Sequence, residues 1–393
     1  MLGRQPAIGL AELESLFSAP LVQPAGRQAA ILDLPHDQVD FDRLGSVIKF
    51  GQLLTTLDST SWPAIENYLR QHIQAIMADT PEGKIKLGIS QYGFEVTGAK
   101  LGALGLTLKK HLRSDGRSVR VVPNKEAELS SAQVYHNGLA SATGCELLVV
   151  RDGQRTHIGR TTKVQDINAY AARDQGRPKR DARVGMLPPK LAQTIINLAA
   201  GTDPAKGQLL LDPFCGTGVV LQEAALMGYN TYGTDLEQRM IDFSARNLAW
   251  LAEQFPDLAL PEPKLETGDA TAHRWQPVPA LIAAETYLGQ PFTTVPTPEK
   301  LEQVRSACNT IHRKFLQNLA SQIPSGTRLC LAVPAWQTRA GHFVHLSTLD
   351  HLEELGYNRM SFKHVETSKD RNDLVYARAD QIVARELLVI TKN

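Results

Sequence analysis

The hydrophobic pattern changes period several times along the chain. In residues 62–77 (WPAIENYLRQHIQAIM) apolar positions fall near helical spacing, with Ser61 as a candidate N-cap and Pro63 in the first turn. Residues 84–90 (KIKLGIS) read as a short strand. Leucines at 101, 104, 106, 108 and 112 predict a helix that Gly116 closes. Two β-rich runs, SVRVVP from 118 and CELLVV from 145, flank a helical stretch, SSAQVYHNGL. The alternation over 61–150 predicts a compact α/β unit ending near residue 165, the latter part of an N-terminal region over 1–165.

Residues 166–184 are polar, basic and aperiodic, and read as a connector. A second α/β unit over 185–393 then begins with GMLPPKLAQTIINLAAG, a helix with a proline pair in its first turn and a stop at Gly201. Short apolar strands alternate with helices from Leu209 onward: LLLDPF, LQEAALMG, NTYGTD, a long helix through Asn247, PALIAAE, the helix of 300–323, and TRLCLAVP. Such alternation is the signature of a parallel sheet with crossover helices. The end differs: LVYARADQIVARELLVI reads as two strands turning at Ala379-Asp380, an antiparallel hairpin at the sheet's edge.

Composition adds bounds. A length of 393 residues suggests two or three domains at about 150 residues each. With 42% apolar and 21% charged residues, the chain is not a disordered one. No run reaches the ~18 apolar residues of a membrane span, and Pro6, Glu12 and Glu14 interrupt the opening segment, so neither a membrane anchor nor a signal peptide is expected. Four cysteines (Cys145, Cys215, Cys308, Cys330) form no CxxC pair, so no zinc knuckle or disulfide framework is expected. His342 and His345 stand three apart but lack a nearby third ligand, so no metal site is expected either. A cytoplasmic protein is the default expectation.

Charge changes the picture only when resolved by segment. Lys+Arg number 42 and Asp+Glu 41, a net charge of +1 that argues against a nucleic-acid partner. Yet residues 100–185 hold 16 basic and 8 acidic side chains, between acidic flanks. Such a block can bind a polyanion through counterion release, or can be an ordinary solvated surface. Arg173, Arg177, Lys179, Arg180 and Arg183 crowd its end, and the first four are the candidate phosphate contacts.

The sharpest motif is LLLDPFCGTGVVLQEAA at 209–225: a buried strand ending in Asp212, a turn with Gly216 and Gly218, then a helix. Glycines let such a turn approach a ligand closely, although many turns need them for geometry alone. Asp235 ends the next strand, where an acid can bond a ribose diol, and Asp269 follows in ETGDA. Position 221 is Leu221 and no G-K-[ST] follows, which excludes the phosphate-binding loops. An acid at the start of the turn repels a pyrophosphate but suits a cationic nucleoside such as S-adenosylmethionine.

DPFCGTG with its downstream acid resembles the cofactor motif of class I, Rossmann-like methyltransferases, in their amino-methylating branch. RPKRDARVGMLPPKLAQTIINLA before it, and YARADQIVARELLVI at the end, resemble the tRNA (guanine-10 N2)-methyltransferase family. The resemblance spans roughly 80–393 and implies an N-terminal α/β THUMP-like RNA-binding domain, S-adenosylmethionine as cofactor, and tRNA as partner. It further implies that Asp212, Phe214, Gly216 and Gly218 line the cofactor, that Asp235 holds its ribose, and that Asp269 and Ala270 stand at its adenine. Cys215 would be a small packing residue.

The family ends its fourth strand with Asp/Asn-Pro-Pro-Tyr/Phe, an amine acceptor and a stacking ring. This chain has AETYLGQPF at 284–292. With Tyr287 as the ring, Ala284 falls on the acceptor position; with Glu285 as acceptor, Leu288 falls on the ring position. Glu285 as acceptor acting together with Tyr287 as stacking ring is the reading carried forward. The competing ones are a polar strand end with a core-edge aromatic, in an RNA-binding protein of impaired turnover, and a DNA amino-methyltransferase. Trp336 resembles a substrate-side loop residue or serves packing.

Overall fold

The computed structural model describes residues 1–181, 187–202, 206–365, 371, 373–378 and 381–393. Its contacts divide the chain into two units, one of Met1–Pro6, Pro20–Asp42 and Val47–Ala169, the other of Ala7–Ala19, Arg43–Ser46 and Tyr170–Asn393. The cut near 165 is therefore crossed by two N-terminal pieces, of which the larger is the helix α1 (Pro6–Phe17).

The first unit carries a hairpin, β1 (Val22–Ala25) with β2 (Ala29–Leu32), then β3 (Lys49–Leu57), α2 (Trp62–Ile76), β4 (Lys84–Tyr92), α3 (Gly98–Ser114), β5 (Ser118–Val121), α4 (Ser131–His136), β6 (Gly144–Asp152) and β7 (Arg155–Val164). Its main sheet has the order β3-β7-β6-β4-β5, with β6, β4 and β5 mutually parallel and the others antiparallel. Ile65, Leu69 and Ile73 of α2 and Leu101, Leu104, Leu108 and Leu112 of α3 pack with Ile85, Leu87 and Ile89 of β4. Each such leucine contributes about 1.5–3 kcal/mol by leaving water. Leu106 departs from the expectation: it lies off the 101/104/108/112 stripe and is 55% exposed. Ser61 sits at the N-cap of α2 but makes no capping bond, whereas Ser130 and Gln133 form a full capping box on α4.

A buried charge lies inside this unit. Lys49 Nζ reaches Glu146 at 2.5 Å and also donates to the Leu129 carbonyl at 2.7 Å and the Tyr92 hydroxyl at 3.2 Å. Glu146 takes further bonds from Ser90 and Thr161 hydroxyls. Every polar atom thus meets a partner, the condition under which a buried pair is tolerated.

The second unit follows α5 (Ile167–Gln175) with α6 (Pro189–Ala200), β8 (Leu209–Asp212), α7 (Val219–Leu226), β9 (Asn230–Asp235), α8 (Gln238–Gln254), β10 (Lys264–Thr267), β11 (Leu281–Glu285), α9 (Pro298–Ala320), β12 (Arg328–Arg339), β13 (His342–Val344), β14 (Tyr357–Arg359), β15 (Val375–Tyr376) and β16 (Val383–Lys392). The sheet order is β10-β9-β8-β11-β12-β16-β14, parallel up to β12 and antiparallel beyond. Helix α6 starts on Pro188-Pro189 and ends at Gly201, whose φ is +70°.

The structure departs from the sequence expectations at three places. The connector is partly helical, because α5 covers Ile167–Gln175. The C-terminal strand is interior rather than marginal: β16 lies between β12 on one side and β14 and β15 on the other, so the edge falls to a three-residue strand too short to read from sequence. The turn at Ala379-Asp380 lies outside the described residues. Finally, β12 runs past Pro334 to Arg339, because β11 pairing stops at Ala332 and the missing N–H of Pro334 faces no further strand there. Trp336 is therefore fully buried in strand, a packing residue.

Helix α1 is held in the second unit by acids that the sequence shows only as interruptions. Glu12, fully buried, accepts the N–H groups of Gly45 and Ser46 at 2.8 Å each and the Asn197 amide at 2.7 Å. Glu14 accepts the N–H groups of Lys363 and His364, both at 2.7 Å.

Lys49→Met is expected to destabilise the first unit by about 3–5 kcal/mol, since Glu146 is left buried and unpaired. Lys49→Met/Glu146→Leu should cost clearly less than the single change, read from urea unfolding curves.

Candidate active site

The strand order reverses between β8 and β11, and the crevice at that point holds a cavity of about 720 Å³. Its floor is the turn after β8: Asp212, Pro213, Phe214, Cys215, Gly216 and Thr217. The turn is tied down from three sides. Gly216 N–H donates to Asp235 Oδ2 at 3.0 Å, Ser244 Oγ donates to the Gly216 carbonyl at 2.8 Å, and Asn247 Nδ2 donates to the Thr217 carbonyl at 2.8 Å. Ser244 and Asn247 lie on the buried face of α8, one turn apart, and the sequence flagged neither as site residues. Their signal is two polar residues within the helix's apolar stripe.

Of the expected cofactor residues, Asp212, Phe214, Gly216, Asp235, Asp269 and Ala270 line the cavity. Gly218 does not. It is buried, with φ of +81°, and a Cβ there would lie 2.9 Å from Ser244 Oγ and 3.2 Å from Ser244 Cα. Its role is close packing of the turn against α8. Leu236, 70% exposed on the cavity wall, is an apolar face that the sequence reading passed over. Its place directly after the strand-end acid Asp235 was the available signal in sequence.

The acids differ by environment. Burial pushes the Asp212 carboxyl well above the usual carboxylate range, and the neighbouring Asp235 and Glu285 carboxylates add to this. Burial also raises Asp235, against the N–H groups of Glu237 and Gly216 that its oxygens accept. Asp269, exposed, is held low by the backbone N–H and hydroxyl of Thr271, each 2.8 Å away. Burial together with those two aspartates lifts the Cys215 thiol far from ionisation, so it is not a nucleophile. This set of acceptors fits a nucleoside with a diol and a positive charge.

Glu285, Thr286, Tyr287, Leu288 and Gly289 form the opposite wall. Glu285 Oε1 accepts a bond from Arg385 Nε, and among the described residues Oε2 accepts none. Tyr287 is 45% exposed and open to a stacking partner. The fully buried His312 ring lies 2.7 Å from the Cys308 carbonyl through Nδ1 and 2.8 Å from Thr286 Oγ1 through Nε2. A carbonyl only accepts, so Nδ1 carries the proton and the Thr286 hydroxyl donates to Nε2. Burial lowers His312 to about 4, which keeps this arrangement neutral.

The basic segment is largely committed to the fold. Arg173 is bound to the buried Glu223 at 2.8 Å and 3.2 Å and covers the Tyr170 ring. Arg177 is buried beside Asp174. The Lys179 backbone is bracketed by Asn247, and its ammonium lies over Phe243. Arg180 is exposed. Arg173 and Arg177 are therefore corrected from phosphate contacts to structural residues: Arg173 is paired to a buried glutamate, and Arg177 is buried with the Asp174 carboxylate offsetting part of the cost of taking its charge out of water. Arg183 lies outside the described residues. His345 pairs with Glu386 at 2.8 Å, and no metal-binding group occurs among the described residues.

A parallel sheet that reverses beside a glycine turn, with strand-end acids and two antiparallel strands after the fifth, is the Rossmann-like fold of class I methyltransferases. Residues 177–261 match the family described as UPF0020, an RMKL-like methyltransferase domain. Over 166 residues the chain is 30% identical to the tRNA (guanine(10)-N2)-dimethyltransferase of Methanothermobacter thermautotrophicus, covering 42% of this chain and 41% of that one. Over 64 residues it is 41% identical to the enzyme of that name from Pyrococcus abyssi, covering 16% and 18%. The matches thus span about two fifths of the first relative and less of the second. The crystal structure of TrmN from Thermus thermophilus superposes with a TM-score of 0.53 at 17% identity, covering 100% of this chain and 97% of that one, a likeness of fold.

Gly216 and Gly218 both have positive φ, but a Cβ on Gly216 meets nothing nearer than 3.9 Å. Gly216→Ala should cost only about 1–2 kcal/mol, the left-handed penalty. Gly218→Ala adds the collision with Ser244 and should lower the thermal midpoint by clearly more in paired melting curves.

Proposed function

We propose that the protein transfers the methyl group of S-adenosylmethionine to the exocyclic 2-amino group of a guanosine in tRNA. The observation that carries this reading is that one wall of the cavity presents the Asp212/Gly216/Asp235 set and the opposite wall presents Glu285 and Tyr287. The relatives named as guanine-N2 dimethyltransferases support it. Asp235 would take the ribose diol, Leu236 and Ala270 would sandwich the adenine beside Asp269, and Asp212 would face the ammonium group. The cofactor supplies an electrophilic methyl carbon on a positive sulfur.

On the substrate side, Tyr287 stacks on a base that has left its helix, and Glu285 Oε2 accepts an amine N–H, which aims the nitrogen lone pair. The cofactor would supply the methyl group to that nitrogen, and Glu285 or water would take the amine proton. Positioning, rather than strong acid–base chemistry, carries the rate.

For the RNA, the first unit offers a THUMP-like module with cations that the fold does not consume. Helix α3 contains no acidic residue, and Lys100, Lys110 and Arg113 on it, with Arg120 on β5, are exposed. These, with Lys179 and Arg180, are the phosphate contacts of the proposal. A cofactor-binding RNA factor without turnover is the second reading, favoured by AETYLG standing at 284–289 in place of an Asp/Asn-Pro-Pro-aromatic stretch.

Purified protein with methyl-labelled S-adenosylmethionine should label unmodified tRNA transcripts, with N2-methylguanosine found by mass spectrometry of the nucleosides, and should leave DNA unlabelled. Absence of label beside an active control enzyme refutes turnover. Cofactor binding should be linked to protons. Asp212 is raised, so near its own pKa part of it is protonated; a cationic ligand favours the carboxylate and binding releases a proton. Affinity should rise with pH through that range, by at most about tenfold per unit. Calorimetry should show this slope in the wild type and lose it in Asp212→Asn.

A further inference from the structure

We propose that Arg385 is a positioning residue for the methyl acceptor: it holds the Glu285 carboxylate at the cavity wall by Oε1 and leaves Oε2 to the substrate N–H. The proposal rests on the reading of Glu285 given above. Glu285 is the last residue of β11, and beyond it the sheet no longer confines a side chain with three rotatable bonds. Fixing such a side chain costs rotamer entropy, which a lone strand end does not repay.

The register shows how Arg385 reaches it. Glu285 stands beside Ala332 of β12, and Arg385 stands beside Pro334 of the same strand, two residues on. Positions two apart share a face, so both side chains lie on one side of the sheet. Arg385 is 5% exposed and its Nε donates to Glu285 Oε1. Its neighbour Glu386 points to the other side, where it has partners of its own: His345 at 2.8 Å and Arg359 at 3.3 Å. The two adjacent charges of β16 therefore do not exchange partners, and Arg385 is left to Glu285.

Electrostatics gives the same assignment. Asp212 and Asp235 line the same cavity, so Glu285 without a cation faces two like charges. A guanidinium stays charged throughout the working range and directs its donors in a plane, which fixes direction as well as charge. Thr286, anchored by His312, and Gly289, where a Cβ would come within 2.8 Å of Val304, hold the backbone that follows. Arg385 then fixes the one side chain that the backbone leaves free.

The test uses the full chain, S-adenosylmethionine and a tRNA transcript. Arg385→Gln should lower kcat by about 10²-fold, the cost of a misplaced acceptor. KM for the cofactor should stay within about twofold. Arg385→Lys should recover part of the loss. Glu285→Gln and the double variant Glu285→Gln/Arg385→Gln should be equally impaired, since one residue acts through the other. If Arg385→Gln fails to fold, Arg385→Lys serves: it keeps the charge but not the planar donor, so kcat should still fall, and a wild-type kcat there overturns the proposal. Wild-type kcat in Arg385→Gln, or losses that multiply in the double variant, overturns the proposal. Crystals of wild type and Arg385→Gln give a readout independent of turnover: Glu285 should leave its wild-type rotamer, and an unmoved carboxylate overturns the proposal. A wild type that methylates nothing refutes the proposed activity instead, and the crystal comparison still decides the role of Arg385.

Discussion

The site depends on one constraint of chain topology. Crossovers from β8 leave toward β9, whereas β11 belongs to the half of the sheet built toward β12, so no connection covers the gap between the two strands. Everything reactive is placed by that gap. The turn after β8 supplies the cofactor-side wall and the segment after β11 supplies the other, and each is a strand end whose backbone groups need partners outside the sheet. Asp235 on β9 and Ser244 and Asn247 on α8 meet that need for the first wall; on the second, the Thr286 N–H still finds the Ala332 carbonyl of β12 and its side chain is held by His312. The polar residues around the cavity are thus recruited first by unsatisfied backbone and only then by any ligand.

The same logic explains where the charges went. The second unit buries Glu12, Glu14, Glu223 and Glu386, and each is matched by backbone N–H groups or by a guanidinium. A basic run seen along the sequence therefore cannot be converted directly into a phosphate-binding surface, because buried acids elsewhere draw on it. Arg173 is the clearest case: its partner Glu223 sits fifty residues away in α7, inside an apolar run where a glutamate reads as an isolated exception. By contrast, α3 has no acid of its own to neutralise its lysines, and they remain at the surface.

Periodicity and punctuation made most of the fold legible. The two helices packed on the first sheet, the proline start of α6 and the alternation from Leu209 onward are all local signals that tertiary contacts reinforced. What failed was non-local. Glu12 and Glu14 look like breaks in an apolar run because their partners, Gly45, Ser46, Asn197, Lys363 and His364, are scattered over the chain. The interior place of β16 depends on β14, three residues long, which no window of sequence distinguishes from loop. At the site, the acids and Gly216 were legible from spacing. Gly218 was misassigned because a glycine required for helix packing and one required for ligand approach look alike in sequence.

The substrate-side wall shows how a departure from a familiar pattern can be read in physical terms. Two prolines would stiffen a strand end by restricting φ, and here Thr286 and Tyr287 stand in that stretch with ordinary backbone freedom. Rigidity has to come from contacts instead. The Thr286 N–H and hydroxyl engage the Ala332 carbonyl and the His312 ring, and Gly289 adopts positive φ against Val304, Cys308 and Trp336. Each contact comes from an element that the core already fixes: β12, and α9 with its buried Cys308, His312 and Phe315. A fully buried tryptophan beneath Gly289 is then part of the same support, since shrinking it would leave the turn without its floor. Stiffness absent from the backbone of residues 285–289 is supplied by side chains packed beneath them, and the wall facing the cavity can hold a shape that its own sequence does not impose.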